Sequence, residues 1–237
     1  MDDIARQRDY YSRTAADYDT AHAGEYEPEH DFALTLLRGI AAKQGYGSFL
    51  DVGAGTGRGM AFLSREFPGA VVRGVEPVEA LRRSAYAKGF AEEHLTDGDA
   101  LNLQQESASV DCVLALGVMH HLPAPRVALR EMVRVARKAV FISDLNNYGC
   151  GGWLQKSVAR GLRATGLWRS AQFLKNGFKH AKYSEGDGVH YSYSLLDDVP
   201  SLNRLGCRTY LFSTLPCRSD SLLWGASHVA VLALKEA

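Results

Sequence analysis

The chain has few cysteines, and they lie far apart. Four occur among 237 residues, at Cys112, Cys150, Cys207 and Cys217, and no two form a Cys-x-x-Cys pair. Zinc sites and small disulfide frameworks need cysteines at short, regular spacing. The sequence therefore favours reduced thiols and predicts no metal site.

Long apolar runs and net charge are also missing. No stretch of about 18 apolar residues is present, so no transmembrane segment is expected. The acidic start, Met1-Asp2-Asp3, differs from the basic start of a secretory signal, and we expect a cytoplasmic protein. Basic and acidic residues number 27 each, which gives no overall electrostatic attraction to nucleic acid, and we expect no nucleic-acid partner.

Although the net charge of the chain is zero, one segment is basic. Residues 149–183 contain seven basic residues and no acidic one. The seven are Lys156, Arg160, Arg163, Arg169, Lys175, Lys179 and Lys182. On a helix, three of them fall opposite a stripe of Leu154, Val158 and Leu162, which predicts an amphipathic helix with a basic face. That face is open to three interpretations: a solvated surface, a site that attracts an acidic or phosphorylated acceptor, or a contact with an anionic membrane.

Apolar runs alternate with helical segments along the chain. Strands are predicted at 48–52, 71–75, 110–116 and 139–143. With a helix at 125–138, the alternation predicts an α/β fold with a doubly wound, mostly parallel sheet covered on both faces. Two further strands, 207–215 and 227–235, are joined by a connection too short for a parallel crossover, so an antiparallel pair is expected.

The length of the chain fits one domain, 1–237, with two additions. Residues 1–45 are predicted to form an N-terminal helical cap. Residues 145–205, between the fifth and sixth strands, are too many for a plain connection and predict an inserted helical lid.

Residues 49–59, Phe-Leu-Asp-Val-Gly-Ala-Gly-Thr-Gly-Arg-Gly, form the strongest local pattern. A strand ends in the acid Asp51, and the alternating Gly53, Gly55 and Gly57 follow. Glycines in such a turn reach backbone angles closed to other residues and let a ligand lie against bare backbone. The dinucleotide fingerprint G-x-G-x-x-G fails here, because arginine or methionine stands where its third glycine is needed. A nicotinamide oxidoreductase is therefore kept only as an alternative.

The pattern resembles the first motif of the class I S-adenosylmethionine-dependent methyltransferases, [D/E]-x-G-x-G-x-G. Further elements that resemble those of the family follow in the same order. They are Glu76-Pro77 after the second strand, Gly98-Asp99-Ala100 after the third, and Leu116-Gly117 with His120-His121 after the fourth. A looser match is Tyr18-Asp19, since such a pair in the N-terminal helices often closes over the cofactor.

This resemblance implies S-adenosylmethionine as the cofactor and a seven-stranded sheet whose last strand is antiparallel. It implies that the glycine turn contacts the methionine part, whose amino group Asp51 helps to hold. Glu76 would accept hydrogen bonds from the ribose hydroxyls, and Asp99 would meet the adenine amino group. Cofactor contacts are also implied for Tyr18, Pro77, Ala100, Leu116 and Gly117.

The chemistry of such an enzyme needs alignment more than a catalytic side chain, because the donor methyl group is already activated. His120 and His121 are the candidate bases, with Asp144 as a second choice, although the histidines are equally able to shape their loop. The alternating run 187–194 predicts a strand or an extended lid edge.

The candidate acceptor pocket contains His121, Trp153, His190, Tyr191 and Tyr193. The acceptor is expected to be a small molecule, either anionic or lipid-like, with O-methylation slightly favoured over N or C. A non-catalytic cofactor-binding scaffold is an alternative, and a homodimer is left open.

Overall fold

The chain forms a seven-stranded sheet with helices on both faces and a separate two-stranded hairpin. The computed structural model describes residues 2–21, 28–217 and 221–236. The helices are α1 (Asp3–Thr14), α2 (Tyr18–Ala21), α3 (Pro28–Gln44), α4 (Arg58–Glu66), α5 (Glu79–Ala87), α6 (Pro125–Val135), α7 (Trp153–Ala164), α8 (Trp168–Lys175), α9 (Val199–Arg204) and α10 (Leu222–Gly225). The strands are β1 (Ser48–Val52), β2 (Val71–Val75), β3 (Leu95–Thr96), β4 (Val110–Leu116), β5 (Ala136–Leu145), β6 (Ala181–Ser184), β7 (Gly188–Tyr191), β8 (Cys207–Ser213) and β9 (His228–Lys235).

The strand order in the large sheet is β3-β2-β1-β4-β5-β9-β8. The first five strands are parallel, and β9 lies antiparallel between β5 and β8. This confirms the predicted doubly wound sheet with an antiparallel C-terminal strand. The strand order reverses between β1 and β4, and the crevice at the carboxyl ends of such neighbours is where ligands bind in open α/β sheets.

The central strand β4 shows why both faces are covered. Val113 and Ala115 belong to the apolar core on one face, whereas Cys112 and Leu114 belong to the core on the other. Helix α6 covers the first face, while α3 and α4 cover the second. A strand buried on both faces is a continuous apolar run, as parallel sheets require.

One predicted boundary differs from the structure. The helix expected at 125–138 ends at Val135, and β5 begins at Ala136. The charged Arg137 and Lys138 look like the end of a helix, but their side chains reach the carboxylate of Asp111 in β4, at 3.1 and 3.2 Å. A cross-strand ion pair therefore places these residues in the sheet.

The two additions to the sheet contain further elements. Helices α1, α2 and α3 lie within the predicted cap, of which residues 22–27 fall outside the described residues. The insertion after β5 contains α7, α8, the antiparallel hairpin β6–β7 and α9. Of the extended segment expected at 187–194, only β7 is a strand. In the described parts of the chain, no helix has both the length and the apolar character needed to cross a membrane.

A buried asparagine joins the insertion to the sheet. Asn146 follows β5 and is fully buried. Its amide nitrogen donates to the carbonyl oxygens of Leu223 at 2.9 Å and Ala226 at 2.7 Å, and its Oδ1 accepts from the Ser194 hydroxyl at 2.8 Å. A buried amide with each of its groups bonded fixes the relative positions of the segments that it joins.

Asn146→Asp is expected to lower the free energy of unfolding by about 3 kcal/mol or more at neutral pH, because it sets a buried carboxylate against two carbonyl oxygens. The neighbouring Asn147→Asp is the control, since Asn147 is only partly buried and donates once, to the Ser192 hydroxyl at 3.0 Å. Urea unfolding measures both variants. Equal losses in the two would contradict the role assigned to Asn146.

Candidate active site

A pocket of about 840 Å³ opens at the carboxyl ends of the parallel strands. Its walls come from the glycine turn after β1, the ends of β2 and β4, the loop after β3, and α1. The predicted site residues that line it are Tyr18, Gly53, Glu76, Pro77, Asp99, Ala100, Leu116, Gly117 and His121. A cleft of about 740 Å³ shares Tyr18, Gly53 and Leu116 with this pocket and adds Asp51.

The glycine turn needs its glycines for geometric reasons. Gly53, Gly55 and Gly57 all have positive φ, at 73°, 56° and 86°. A side chain at Gly53 would also run into the methyl groups of Val118. The backbone amide of Gly55 points inward and donates to Glu76 at 3.0 Å.

Glu76 is the anchor of this turn. It is 5% exposed, and its two oxygens accept from the amides of Gly55 at 3.0 Å and Val78 at 2.9 Å. Burial raises the pKa of Glu76 to about 7, although both amide donors act in the opposite direction. Each carboxylate oxygen has lone pairs beyond the one used by the amide, so Glu76 can accept hydroxyl donors from a ligand in the pocket.

Asp51 is the second buried carboxylate at this edge. It is 3% exposed at the end of β1, and burial raises its pKa to about 7, against the attraction of Arg58. Helix α4 passes so close that a side chain at Gly59 would overlap the Asp51 carboxylate. The glycine therefore keeps space for the carboxylate beside the cleft.

Helix α1 forms a wall of the pocket that the sequence did not reveal. Its residues Ile4, Gln7, Arg8 and Tyr11 line the space. The Arg8 guanidinium reaches across to the Asp99 carboxylate at 3.1 Å. Only the tyrosines of this segment mark it as unusual, and no spacing rule assigns it to the site.

His120 lies between two carboxylates. Its Nδ1 is 2.8 Å from Asp144 Oδ1, and its Nε2 is 3.5 Å from Asp187 Oδ2. Burial alone would lower the pKa of His120, but the two carboxylates outweigh it and raise the pKa to about 10. At neutral pH the ring is therefore a cation with no free lone pair, which is unsuited to accept a proton.

His121 has a different environment. Its Nδ1 lies 2.7 Å from the carbonyl oxygen of Val189 and 3.0 Å from the amide nitrogen of Gln7. Its Nε2 lies 3.1 Å from the Tyr11 hydroxyl and 3.4 Å from the Asp187 carboxylate. Because His121 also lines the pocket, it is the better placed of the two histidines for proton transfer.

Asp187, between β6 and β7, joins the insertion to both histidines. Its carboxylate lies 3.5 Å from His120 and 3.4 Å from His121. Burial opposes the charge, but hydrogen bonds from the two rings outweigh it and lower the pKa of Asp187. Gln7 of α1 holds this hairpin, since its amide donates to the Asp187 carbonyl at 3.3 Å and accepts from the Val189 amide. No sequence pattern pointed to Gln7 or to this use of Asp187.

Two groups among the described residues have the donor atoms of a metal site. They are His120, His121 and Asp187, and Glu29, His30 and His228. In the first group the ion pairs already described account for the short distances, and nothing further marks either group as a metal centre.

Most of the predicted acceptor residues lie away from the pocket. Trp153 is 79% exposed on α7. The buried Tyr193 hydroxyl donates to Asp198 at 2.7 Å, and the Tyr191 hydroxyl lies 3.3 Å from Asp3. His190 is half-buried in strand β7 of the hairpin. Of the five, His121 alone lines the pocket.

Comparison with known proteins agrees with this arrangement. Residues 50–142 match the family model described as "Methyltransferase domain". The matched segment runs from β1 to β5 and is similar to methyltransferase domains. The norajmaline N-methyltransferase of Rauvolfia serpentina is 32% identical over 94 residues, which are 38% of this chain and 32% of that protein. The matched part therefore spans about a third of the length of this relative.

Solved structures share the fold over nearly the whole chain. Magnesium protoporphyrin IX methyltransferase from Synechocystis PCC 6803 superposes with a TM-score of 0.62 at 16% identity and covers 100% of this chain and 98% of its own. A methyltransferase from Thermotoga maritima, described as a possible histamine N-methyltransferase, gives 0.57 at 18%, over 96% and 99%. The fold is that of the class I S-adenosylmethionine-dependent methyltransferases, as the motifs predicted.

The charge state of His120 can be measured by NMR of labelled histidine. The ring is expected to stay protonated through neutral pH and to titrate near pH 10, and Asp187→Asn is expected to lower its pKa by about 1 or more. The stabilisation from this ion pair is full below the unfolded pKa of about 6.5 and is lost as the pH rises toward 10. Asp197→Asn, which alters a carboxylate bound to Tyr148, is the control. Titration of His120 near pH 6.5 in the unmodified protein would contradict the assignment.

Proposed function

We propose that this protein is a methyltransferase that binds S-adenosylmethionine and transfers its methyl group to a small-molecule acceptor, with a hydroxyl favoured over nitrogen or carbon. The observation that carries the proposal is the convergence of Glu76, Asp99, the glycine turn and His121 on one pocket. These residues come from four separate loops, and the parallel sheet brings them to a common edge. The match to the methyltransferase family over residues 50–142 supports the same conclusion.

The positions of the side chains suggest how the cofactor is held. Glu76, with both oxygens fixed by backbone amides, accepts hydrogen bonds from the ribose hydroxyls. Asp99 lies on the adenine side, where Arg8 now pairs with it. Asp51, in the adjoining cleft, holds the amino group of the cofactor's methionine part. The protein backbone of the turn at Gly53 lies against the same part of the cofactor.

The same arrangement suggests how the chain assists transfer. The bound cofactor supplies a methyl group that is already activated for attack by a nucleophile. His121, which lines the pocket, accepts the proton of an acceptor hydroxyl. The charged His120 holds Asp187, and with it the hairpin, beside His121. Residues of α1 exclude water from this side of the pocket.

One binding and activity test distinguishes the proposed function from two others, a non-catalytic scaffold and an oxidoreductase. Isothermal titration with S-adenosylmethionine, S-adenosylhomocysteine and NAD is followed by a radiolabelled methyl-transfer assay on hydroxyl, amine and carboxylate acceptors. We expect both sulfur ligands to bind, NAD not to bind, and a hydroxyl acceptor to be methylated. Binding without transfer to any acceptor would favour a non-catalytic scaffold, and binding of NAD alone would favour an oxidoreductase.

Glu76→Ala is expected to weaken binding of S-adenosylhomocysteine by roughly 5- to 150-fold, because it removes the acceptor of the ribose hydroxyls. Glu66→Ala is the matched control, since Glu66 lies on the surface in ion pairs with Arg38 and Arg65. Isothermal titration measures both variants, and circular dichroism checks that they fold. An unchanged affinity in a folded Glu76→Ala protein would remove the basis of the proposal.

Gly59→Ala tests Asp51 without replacing it. The added methyl group overlaps the Asp51 carboxylate and displaces it, so affinity for S-adenosylhomocysteine is expected to fall roughly tenfold, as for one lost hydrogen bond to a charged group. Gly39→Ala makes the same change within helix α3, where no atom lies within 4 Å of the new methyl group. That control is expected to keep its affinity and to gain about 0.5–1 kcal/mol in free energy of unfolding. A loss of affinity that is equal in both variants would contradict the role of Asp51.

A further inference from the structure

The insertion carries a concentrated exposed apolar surface. Of eleven large hydrophobic side chains that are exposed in the described chain, seven lie within residues 153–183. Six of them, here called the α7–α8 face, are Trp153 (79% exposed), Leu154 (61%), Val158 (54%), Leu167 (54%), Leu174 (59%) and Phe178 (69%). Single exposed apolar residues are ordinary on a protein surface, but a cluster of this kind marks an interaction site.

Helix α7 turns part of its basic side toward the protein. Its Arg163 faces the protein, where it pairs with Asp197 at 2.7 Å and stacks on the Tyr148 ring at 4.2 Å. Arg160 stacks on the Trp224 ring at 4.9 Å. With Arg163 turned inward beside the buried Ala159, Leu154 and Val158 of the apolar stripe stay exposed.

The segment that carries this surface contains positive charge only. Lys175 and Lys179 are exposed and follow Leu174 and Phe178 directly in the chain. No acidic residue occurs between residues 149 and 183, whereas the rest of the chain holds all 27 acidic residues and 20 of the 27 basic ones. Residues 149–183 are thus a basic segment of an otherwise acidic chain.

We propose that the α7–α8 face docks on an anionic membrane surface. Tryptophan, leucine and phenylalanine side chains enter the boundary between headgroups and acyl chains, while lysines beside them attract anionic headgroups. Leu167 and Leu174 are seven residues apart and therefore share one side of α8, as this orientation requires. The acidic remainder of the molecule is repelled by the same membrane. The molecule is therefore expected to approach the membrane with the α7–α8 face toward it.

Charge complementarity favours a membrane over a second copy of the chain. A symmetric dimer formed through this face would place the same lysines of the two copies against each other, with no acidic residue on either side to pair with them. An anionic bilayer supplies both missing components, negative charge and an apolar interior.

Flotation with two kinds of vesicle tests the proposal. One kind is phosphatidylcholine alone, and the other contains roughly 30 mol % phosphatidylserine. The full chain is expected to float with the anionic vesicles and to bind them less as salt rises, since charge attraction is screened. Trp153→Ser with Phe178→Ser is expected to reduce binding at least tenfold. Lys175→Gln with Lys179→Gln is expected to reduce it roughly 30-fold, as two lost contacts with the anionic surface.

Matched controls use exposed residues elsewhere on the molecule. Phe32→Ser with Tyr210→Ser removes two exposed aromatic side chains, and Arg65→Gln with Arg83→Gln removes two exposed cations. Both are expected to bind vesicles like the unmodified chain. Absence of binding to anionic vesicles, or equal losses in test and control variants, would overturn the proposal. The proposal would also be overturned if the chain did not bind vesicles and sedimentation showed a dimer that the Trp153→Ser and Phe178→Ser changes dissociate.

Discussion

The candidate site depends on one buried carboxylate held by two backbone amides. Taking a carboxylate out of water is unfavourable unless donors replace the lost solvent. At Glu76 the donors are the amides of Gly55 and Val78, which belong to the turn after β1 and to the start of the segment after β2. The two turns are therefore fixed relative to each other by the same group that faces the pocket. Burial still raises the pKa of Glu76 to about 7, so a ligand that donates further hydrogen bonds relieves an existing cost.

The other half of the site depends on charges that meet across separate elements. Asp144 ends a sheet strand, His120 follows β4, and Asp187 comes from the inserted hairpin. The arrangement gives the two neighbouring histidines different environments. His120 is held as a cation between two carboxylates, whereas His121 lines the pocket beside the Tyr11 hydroxyl. His120 thus holds the hairpin, and His121 is the residue that we propose for proton transfer.

The sheet and the cofactor side of the pocket could be predicted because their signals are local. The run ending in Asp51, the alternating glycines and the acid Glu76 each follow from constraints within a few residues. The wall formed by α1 could not be predicted in this way, since Gln7 reaches residue 189, about 180 positions away. The orientation of α7 could not be predicted for a related reason. Periodicity shows that apolar and basic residues take opposite sides of a helix, but the rings of Tyr148 and Trp224 decide which side faces inward.

A crystal structure with S-adenosylhomocysteine tests the central claim most directly. The account predicts that both ribose hydroxyls lie within hydrogen-bonding distance of the Glu76 carboxylate, with the sulfur directed toward His121. A ribose bound elsewhere on the chain, with Glu76 bonded only to Gly55 and Val78, would contradict it.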